Sequence, residues 1–163
     1  MQEIFDKRGS YHHMFRRLSQ TSSLNFLSFE EIVALHDYLI DEYGGMSGFR
    51  DEGVLHSIVD KVRSMEEYYD TGNVDLYDLA ASYIWEISTG HPFSDANKRT
   101  SLAVALTFLS DNGVTTKFDP VGLELLARAC AAASMEEGFY GEYAYSFSYE
   151  KAREMLQACR IGT

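Results

Sequence analysis

The stretch HPFSDANKRT, from His91 to Thr100, places an imidazole, a carboxylate and two cations within ten residues. Gly90 ends a periodic helical segment just before it, and a second helical pattern begins at about Asn97. The stretch is therefore predicted to form a short loop that leads into a helix N-terminus. The first N–H groups of a helix have no intrahelical partners and its dipole favours negative charge, so this loop can bind an anion.

The residue types in the loop suit chemistry on a phosphate chain. Histidine titrates near neutral pH, so His91 can act as a neutral base that takes a proton from a hydroxyl group. Asp95 offers the hard oxygen that Mg²⁺ prefers, and Asn97 can cap the following helix. Lys98 and Arg99 lie in the first turn, where cations oppose the helix dipole unless an anion is bound.

Each of these residues also has a simpler interpretation. A lone histidine after a glycine is usually a turn or surface residue, and Lys and Arg on a capped helix are common. The combination of these residue types at fixed spacing, in a predicted helix–loop–helix, favours an active site.

The same residues resemble a known signature. HPFSDANKRT is similar to the Fic/Doc family loop H-x-F-x-D/E-A/G-N-G/K-R, and its A-N-K-R form resembles the Doc (death-on-curing) branch. A second block, Phe26 to Val62, resembles the helix, Gly-Gly turn and G-x-R-D-E-G-x-L segment of Doc-like chains. The resemblance implies an all-α, single-domain helical bundle, with the active loop between two central helices and a short extended flap. It covers about residues 26–160, so we expect an N-terminal extension at residues 1–25 and a Fic/Doc-like domain at residues 26–163.

The resemblance also implies an activity, the transfer of part of ATP to a hydroxyl side chain of a target protein. His91 would be the base, Asp95 would orient Mg²⁺, and Asn97, Lys98 and Arg99 would hold phosphates. Family members with Gly in place of Lys98 usually transfer AMP, whereas Doc-like members with Lys transfer the γ-phosphoryl group, with a translation elongation factor as the known class of target. The expected activity is thus that of a Doc-like toxin kinase, and the alternatives are an adenylyltransferase (AMPylation) or a nucleotide-binding module without turnover.

Two departures from the family pattern bear on this expectation. Many adenylylating members have a second Arg three residues after the first, and this chain has Leu102 there, which favours the Doc-like branch or a weaker enzyme. The inhibitory motif S/T-x-x-x-E-G/N of self-restrained Fic proteins has no match. Restraint would then come from a separate partner such as a Phd-like antitoxin.

The segment GGMSGFRD, residues 44–51, is too rich in glycine for a helix. The resemblance identifies it as the flap, which aligns a target chain beside the active loop by strand-type pairing. Gly45, Met46, Ser47 and Gly48 would be its target-docking residues. The alternative is a simple connection between two helices.

Local signals predict further helices. Ser28 and Glu31 form a capping box, and Asp75 begins the clearest amphipathic segment. Asp119 followed by Pro120 predicts the start of a later helix. His36 lies near the apolar stripe of the first helix, either as a hydrogen-bonded core histidine or as a catalytic group.

Composition sets the remaining limits. A chain of 163 residues with 45% hydrophobic content fits one domain with a sizeable core. The formal net charge of −11 argues against sequence-independent nucleic-acid binding, which needs surplus Lys and Arg. A local Lys and Arg cluster still permits nucleotide binding. The chain has no long apolar run and no signal-peptide pattern, so we expect a cytoplasmic protein that does not bind membranes.

Overall fold

The computed structural model describes residues 24–117 and 152–158, and these are mostly helical. The helices are α1 (Phe29–Tyr43), α2 (Glu52–Ser64), α3 (Glu66–Asp70), α4 (Leu76–Gly90) and α5 (Asn97–Asp111). Residues 152–158 form a further helical segment. No β-strand occurs in the described ranges, which confirms the predicted all-α class. The helix predicted after Asp119 and Pro120, and most of the predicted N-terminal extension, lie outside the described residues.

Helix α1 begins at the predicted capping box. The Ser28 hydroxyl accepts a hydrogen bond from the Glu31 N–H (3.2 Å), and the Glu31 carboxylate accepts one from the Ser28 N–H (2.8 Å). The helix ends at Gly44, which has a positive φ of 77°. Local side chains therefore determine both ends of this helix, as the sequence indicates.

A second capping box begins α4, where the Asp75 carboxylate accepts hydrogen bonds from the Tyr77 and Asp78 N–H groups. Arg153, in the helical segment 152–158, pairs with both Asp75 (2.5 Å) and Asp78 (2.7 Å). This ion pair joins that segment to the start of α4.

The expected amphipathic pattern of α4 is wrong, because the helix is buried on nearly every side. Trp85, which lies off the predicted apolar stripe, is 5% exposed, and Ser82 and Ser88 are buried as well. Helix α4 is thus one of two central helices of the core, and α5 is buried to a similar extent.

Helices α4 and α5 form the predicted central hairpin and pack against each other more extensively than any other pair of described helices. Between them, the buried Ser88 hydroxyl donates a hydrogen bond to the Ser101 hydroxyl (2.9 Å). The loop of residues 91–96 connects the two helices and lies at one end of the hairpin.

Residues 63–73, a polar stretch that contains tyrosines, are partly helical. Helix α2 continues to Ser64, and the short helix α3 follows it. Across residues 24–117 and 152–158, no helix has the length and apolar character needed to cross a membrane.

Candidate active site

The loop begins with a change of backbone conformation at His91. This residue ends α4 in the left-handed region, with φ 47° and ψ 55°, and its N–H donates to the Ile87 carbonyl (3.2 Å). A left-handed conformation costs a non-glycine residue roughly 1–2 kcal/mol and directs the chain away from the helix axis. The half-buried imidazole makes no hydrogen bond or ion pair with any other described residue, so its ring nitrogens can receive a proton from a substrate.

The side chain of Asn97 determines the shape of the loop. Its Oδ1 accepts from the Phe93 N–H (3.0 Å) and its Nδ2 donates to the Phe93 carbonyl (2.9 Å). Phe93 is 1% exposed and packs in the core. The amide of Asn97 therefore closes the loop on itself, and a contact with phosphate would compete with these bonds.

The prediction that Asn97 caps α5 is wrong. The N-cap is Ala96, which is left-handed with φ 60°, and no side chain accepts a hydrogen bond there as a cap. The first intrahelical bond runs from the Thr100 N–H to the Ala96 carbonyl (2.9 Å). The N–H groups of residues 97–99 therefore have no acceptor within the helix.

Asp95 is exposed, and backbone donors from two segments hold its carboxylate. Oδ1 accepts from the Ala96 N–H (2.6 Å) and Oδ2 accepts from the Met46 N–H (3.2 Å). These two bonds, that of Ala96 first, hold the pKa of the Asp95 carboxyl below its usual range against an opposing effect of burial. The positive charge of Arg99 acts in the same direction. The carboxylate is therefore ionised at any physiological pH.

The Asp95 carboxylate can serve as a single protein ligand for Mg²⁺. Within residues 24–117 and 152–158, no cluster of three or more His, Cys, Asp and Glu side chains could hold a metal ion. Mg²⁺ typically binds one or two protein carboxylates and takes its other ligands from water and substrate phosphates. A single ionised carboxylate beside an anion site meets that requirement.

Two cations follow at the start of α5. Lys98 is exposed, and its ammonium group forms no hydrogen bond or ion pair with any other described residue. The guanidinium of Arg99 donates through Nη2 to the Gly44 carbonyl (3.0 Å). Together with the N–H groups of residues 97–99, these side chains form a concentration of hydrogen-bond donors suited to phosphate.

The glycine-rich segment, residues 44–51, lies against the loop as an extended chain. Three main-chain hydrogen bonds join the segment to the loop. The Ser94 N–H donates to the Gly48 carbonyl (3.0 Å), and the Arg50 and Asp51 N–H groups donate to the Pro92 carbonyl (2.8 and 3.0 Å). Phe49 and Phe93 form an isolated antiparallel bridge. The segment is therefore more than a helix–helix connection. Target docking by Gly45, Met46, Ser47 and Gly48 stays a prediction.

Gly45 and Met46 bring this flap close to Asp95. Gly45 has a φ of 131°, and a Cβ atom at this position would lie 2.7 Å from Asp95 Oδ2 and 2.8 Å from Ile40 Cδ1. Met46 donates its N–H to the same carboxylate, while its side chain is 64% exposed. The flap thus positions the predicted metal ligand, a contact between residues 49 positions apart that local sequence signals do not indicate.

Two clefts flank the loop. One, of about 470 Å³, lies between α2 and α4 and reaches Gly90. The other, of about 390 Å³, lies between α1 and the flap and reaches Phe93. Neither is lined by His91 or by residues 95–99, so neither cleft tests the prediction that these residues form an active site.

Sequence comparisons agree with this architecture. The model of the Fic/DOC family matches residues 26–109, which include the flap, the loop and most of α5. The chain is 42% identical over 91 residues to the "Protein kinase doc" of Escherichia phage P1, a match that covers 56% of this chain and 71% of that protein. It is 35% identical over 77 residues to the "Toxin Doc" of Mycolicibacterium smegmatis, covering 47% of this chain and 58% of the relative.

Proposed function

This chain belongs to the Fic/DOC family, and from that membership we propose that it transfers the γ-phosphoryl group of Mg-ATP to a hydroxyl side chain of a target protein. The observation that carries the proposal is the loop between α4 and α5. It combines an imidazole at His91 that has no hydrogen-bond or ion-pair partner among the described residues, an ionised carboxylate at Asp95 and a helix start without a side-chain cap.

His91 is the general base of the proposed reaction. A ring nitrogen takes the proton of the target hydroxyl as its oxygen attacks the γ-phosphorus. A new P–O bond forms to the target, and the bond between the γ-phosphorus and the bridging oxygen to the β-phosphate breaks. ADP leaves with that oxygen, and the proton passes from His91 to solvent.

Asp95 is the proposed ligand for the metal ion. When bound, Mg²⁺ would neutralise charge on the phosphates and on the leaving ADP. The backbone donors of Ala96 and Met46 keep the Asp95 carboxylate anionic and fix its orientation before the nucleotide arrives. The other Mg²⁺ ligands would be water and phosphate oxygens.

The start of α5 is the proposed phosphate site. The N–H groups of residues 97–99 and the side chains of Lys98 and Arg99 would bind phosphate oxygens, with the helix dipole in support. Asn97 is among the residues predicted to hold phosphates, without a choice between its side chain and its backbone N–H. Because Phe93 engages both polar atoms of that side chain, we assign its contribution to its backbone N–H and to the shape of the loop.

Phosphoryl transfer is favoured over adenylyl transfer by Lys98 and by the kinase name of the relative that is 42% identical. Lys98 places a side chain and a charge where a glycine would let the backbone approach phosphate closely. Leu102 is 2% exposed and packs in the core, so this position does not supply a second cation to the nucleotide.

The names of the same relatives support a proposal for the biological role of the chain. One of them is named a toxin, and we propose that this chain is likewise the toxin of a toxin–antitoxin pair with a Phd-like antitoxin. The proposed target is a translation elongation factor, docked along the flap at residues 45–48, and the proposed location is the cytoplasm, where such a target and ATP occur together.

Incubation with ATP labelled at the α or the γ position, in a bacterial lysate, tests the transfer. Protein label from γ-labelled ATP alone is the expected result. Label from the α position would make the chain an adenylyltransferase, and bound nucleotide without label would make it a binding module.

Paired histidine variants test the assigned base. His91→Ala is expected to lower the labelling rate by at least about 100-fold without unfolding the protein, since general-base catalysis contributes about 10²–10⁴-fold. His56→Ala is the matched control, because His56 is an exposed histidine on α2 outside the loop. Undiminished labelling by His91→Ala would exclude this residue as the base.

A further inference from the structure

His36, on α1, is a fully buried histidine directly beneath the loop. Its Nε2 lies 3.2 Å from the main-chain carbonyl oxygen of Asp95, and its Nδ1 lies 3.1 Å from Asp37 Oδ1. A carbonyl oxygen only accepts hydrogen bonds, so Nε2 carries the hydrogen and donates it. The imidazole thus bonds to the active loop across 59 residues of sequence.

The ring of His36 makes a second contact with the loop. It stacks on Phe93 with the ring centroids 3.9 Å apart and the planes inclined by 5°. Phe93 in turn stacks on Phe49 of the flap at 5.4 Å. His36 therefore contacts the loop at two points, the Phe93 ring and the Asp95 carbonyl.

The hydrogen bond to Asp95 has a geometrical consequence. The carbonyl that accepts from His36 and the Ala96 N–H belong to one planar, trans peptide unit, so the two groups point in opposite directions. That N–H donates to Asp95 Oδ1. Rotation of this peptide unit would break both bonds, leave Asp95 Oδ1 without its Ala96 donor, so that only the Met46 N–H holds the carboxylate, and alter the residue that precedes α5.

We propose that His36 is a positioning residue for the loop: it fixes the Asp95–Ala96 peptide unit and thereby the direction of the Asp95 carboxylate and the start of α5. As a statement about catalysis, this inference rests on the proposed phosphoryl transfer. Small displacements of reacting groups can cost about 100-fold in rate, so a residue that does not touch substrate can still control turnover through this peptide.

Two substitutions separate the hydrogen bond from the packing. His36→Phe keeps an aromatic ring against Phe93 but has no donor for the Asp95 carbonyl. His36→Gln keeps a side-chain N–H near the position of Nε2 but has no ring. Ser88→Ala is the matched control, because it removes a different buried hydrogen bond, between α4 and α5.

The full-length chain is assayed with γ-labelled ATP and lysate across a range of Mg²⁺ concentrations, and the melting temperature of each variant is measured. We expect His36→Phe to lower the maximal transfer rate by roughly 10- to 100-fold and to raise the half-saturating Mg²⁺ concentration. His36→Gln should recover most of both losses. Ser88→Ala should lower the melting temperature without changing the Mg²⁺ dependence.

Amide hydrogen exchange at Ala96 gives a readout that does not depend on turnover. Exchange at this N–H should be faster in His36→Phe than in the wild type and close to the wild-type rate in His36→Gln. This comparison tests the positioning role even if the wild-type chain transfers no group from ATP, an outcome that would overturn the proposed function alone.

Two results would overturn the inference. One is a His36→Phe protein with wild-type exchange at Ala96 and wild-type Mg²⁺ dependence. The other is a loss of rate that merely follows melting temperature across His36→Phe, His36→Gln and Ser88→Ala, since that pattern would reduce His36 to a packing residue of the core.

Discussion

Helices α4 and α5 each contain 15 residues and lie side by side in one hairpin, yet their N-termini are built in opposite ways. Helix α4 begins with Asp75 in an extended conformation and with a complete capping box. Helix α5 begins with Ala96 in a left-handed conformation, without a capping side chain or an acidic residue in its first turn. In place of acids it carries Lys98 and Arg99.

Helices α1 and α2 resemble α4 in this respect. Ser28 caps α1 and Asp51 caps α2, and both helices have acidic residues in the first turn. Among these four longer helices of the described chain, the start of α5 therefore departs from the pattern that stabilises a helix. In the proposed function, this difference leaves the backbone donors of α5 available for an anionic ligand, at a cost in local stability.

The largest expected effect comes from making α5 resemble the other helices. Lys98→Glu introduces an acid into the first turn, which should compete for the free N–H groups and repel phosphate. We expect the transfer rate to fall on the order of 100-fold, as when a donor is lost from an anion-stabilising site. The unligated protein should become more stable by about 0.3–1 kcal/mol. Labelling from γ-labelled ATP and urea unfolding measure the two effects.

Lys98→Gln is the control for this exchange, because it removes the positive charge without adding a negative one. Its transfer rate should lie between those of the wild type and Lys98→Glu. A Lys98→Glu protein with an unchanged rate would contradict the assignment of the α5 start as the phosphate site.

The next effect comes from removing the cap of α4. Asp75→Ala eliminates the N-cap, worth about 0.5–2 kcal/mol, and a partly exposed ion pair with Arg153, worth about 0–1 kcal/mol. We therefore expect the free energy of unfolding to fall by about 0.5–3 kcal/mol, with the transfer rate per folded molecule unchanged. Arg153→Ala removes the ion pairs with both Asp75 and Asp78, so its effect sets an upper limit on the share of the Asp75 pair. If the transfer rate of Asp75→Ala fell under conditions in which the variant is fully folded, the N-terminus of α4 would also support catalysis.

A smaller effect is expected at the N-cap of α5. Ala96→Gly removes the cost of a left-handed conformation, which glycine adopts readily, while adding entropy to the unfolded chain. We expect a net gain of about 0.5 kcal/mol in the free energy of unfolding. The N–H that holds Asp95 is retained, so the transfer rate should not change. A loss of stability would mean that the alanine side chain contributes packing that outweighs the backbone strain.

The smallest expected effect is the dependence of stability on pH through Asp95. The pKa of this carboxyl is lowered in the folded protein, so its contribution is fully present above its pKa in the unfolded chain and is lost as the pH falls through the folded value. The difference in stability between the wild type and Asp95→Asn should be constant from about pH 5 to 8 and shrink below about pH 4. Unfolding measured without nucleotide over this pH range provides the test. If the difference in stability between the two proteins increased at acidic pH, folding would raise the pKa of Asp95 and not lower it.

Features determined by neighbouring residues were predictable from the sequence. The capping box at Ser28, the helix that begins at Asp75 and the loop that follows Gly90 all depend on contacts within a few positions. Hydrophobic spacing also predicted the central hairpin, because both of its helices carry apolar residues at helical intervals.

Features that depend on distant residues were not predictable in this way. Nothing local indicates that His36 bonds to the Asp95 carbonyl or that the flap holds the Asp95 carboxylate through Met46. Asn97 was assigned to a helix cap because its residue type favours that position, but the loop folds back so that Phe93 takes both of its polar atoms. The burial of α4 on nearly every side was not predictable from apolar periodicity, which indicates one buried face and not the helices that cover the others.

The absence of a side chain at Gly45 has a consequence for the mutational tolerance of the flap. Even the smallest replacement would bring a carbon atom to 2.7 Å from Asp95 Oδ2 and 2.8 Å from Ile40 Cδ1, at a φ of 131° that other residues rarely adopt. A library of all twenty amino acids at this position, selected for growth arrest of the host, should therefore return glycine. The neighbouring Gly44 has no atom close to its missing Cβ, but its φ of 77° with ψ of 168° is a conformation that only glycine adopts readily, so glycine should be favoured there for backbone reasons alone.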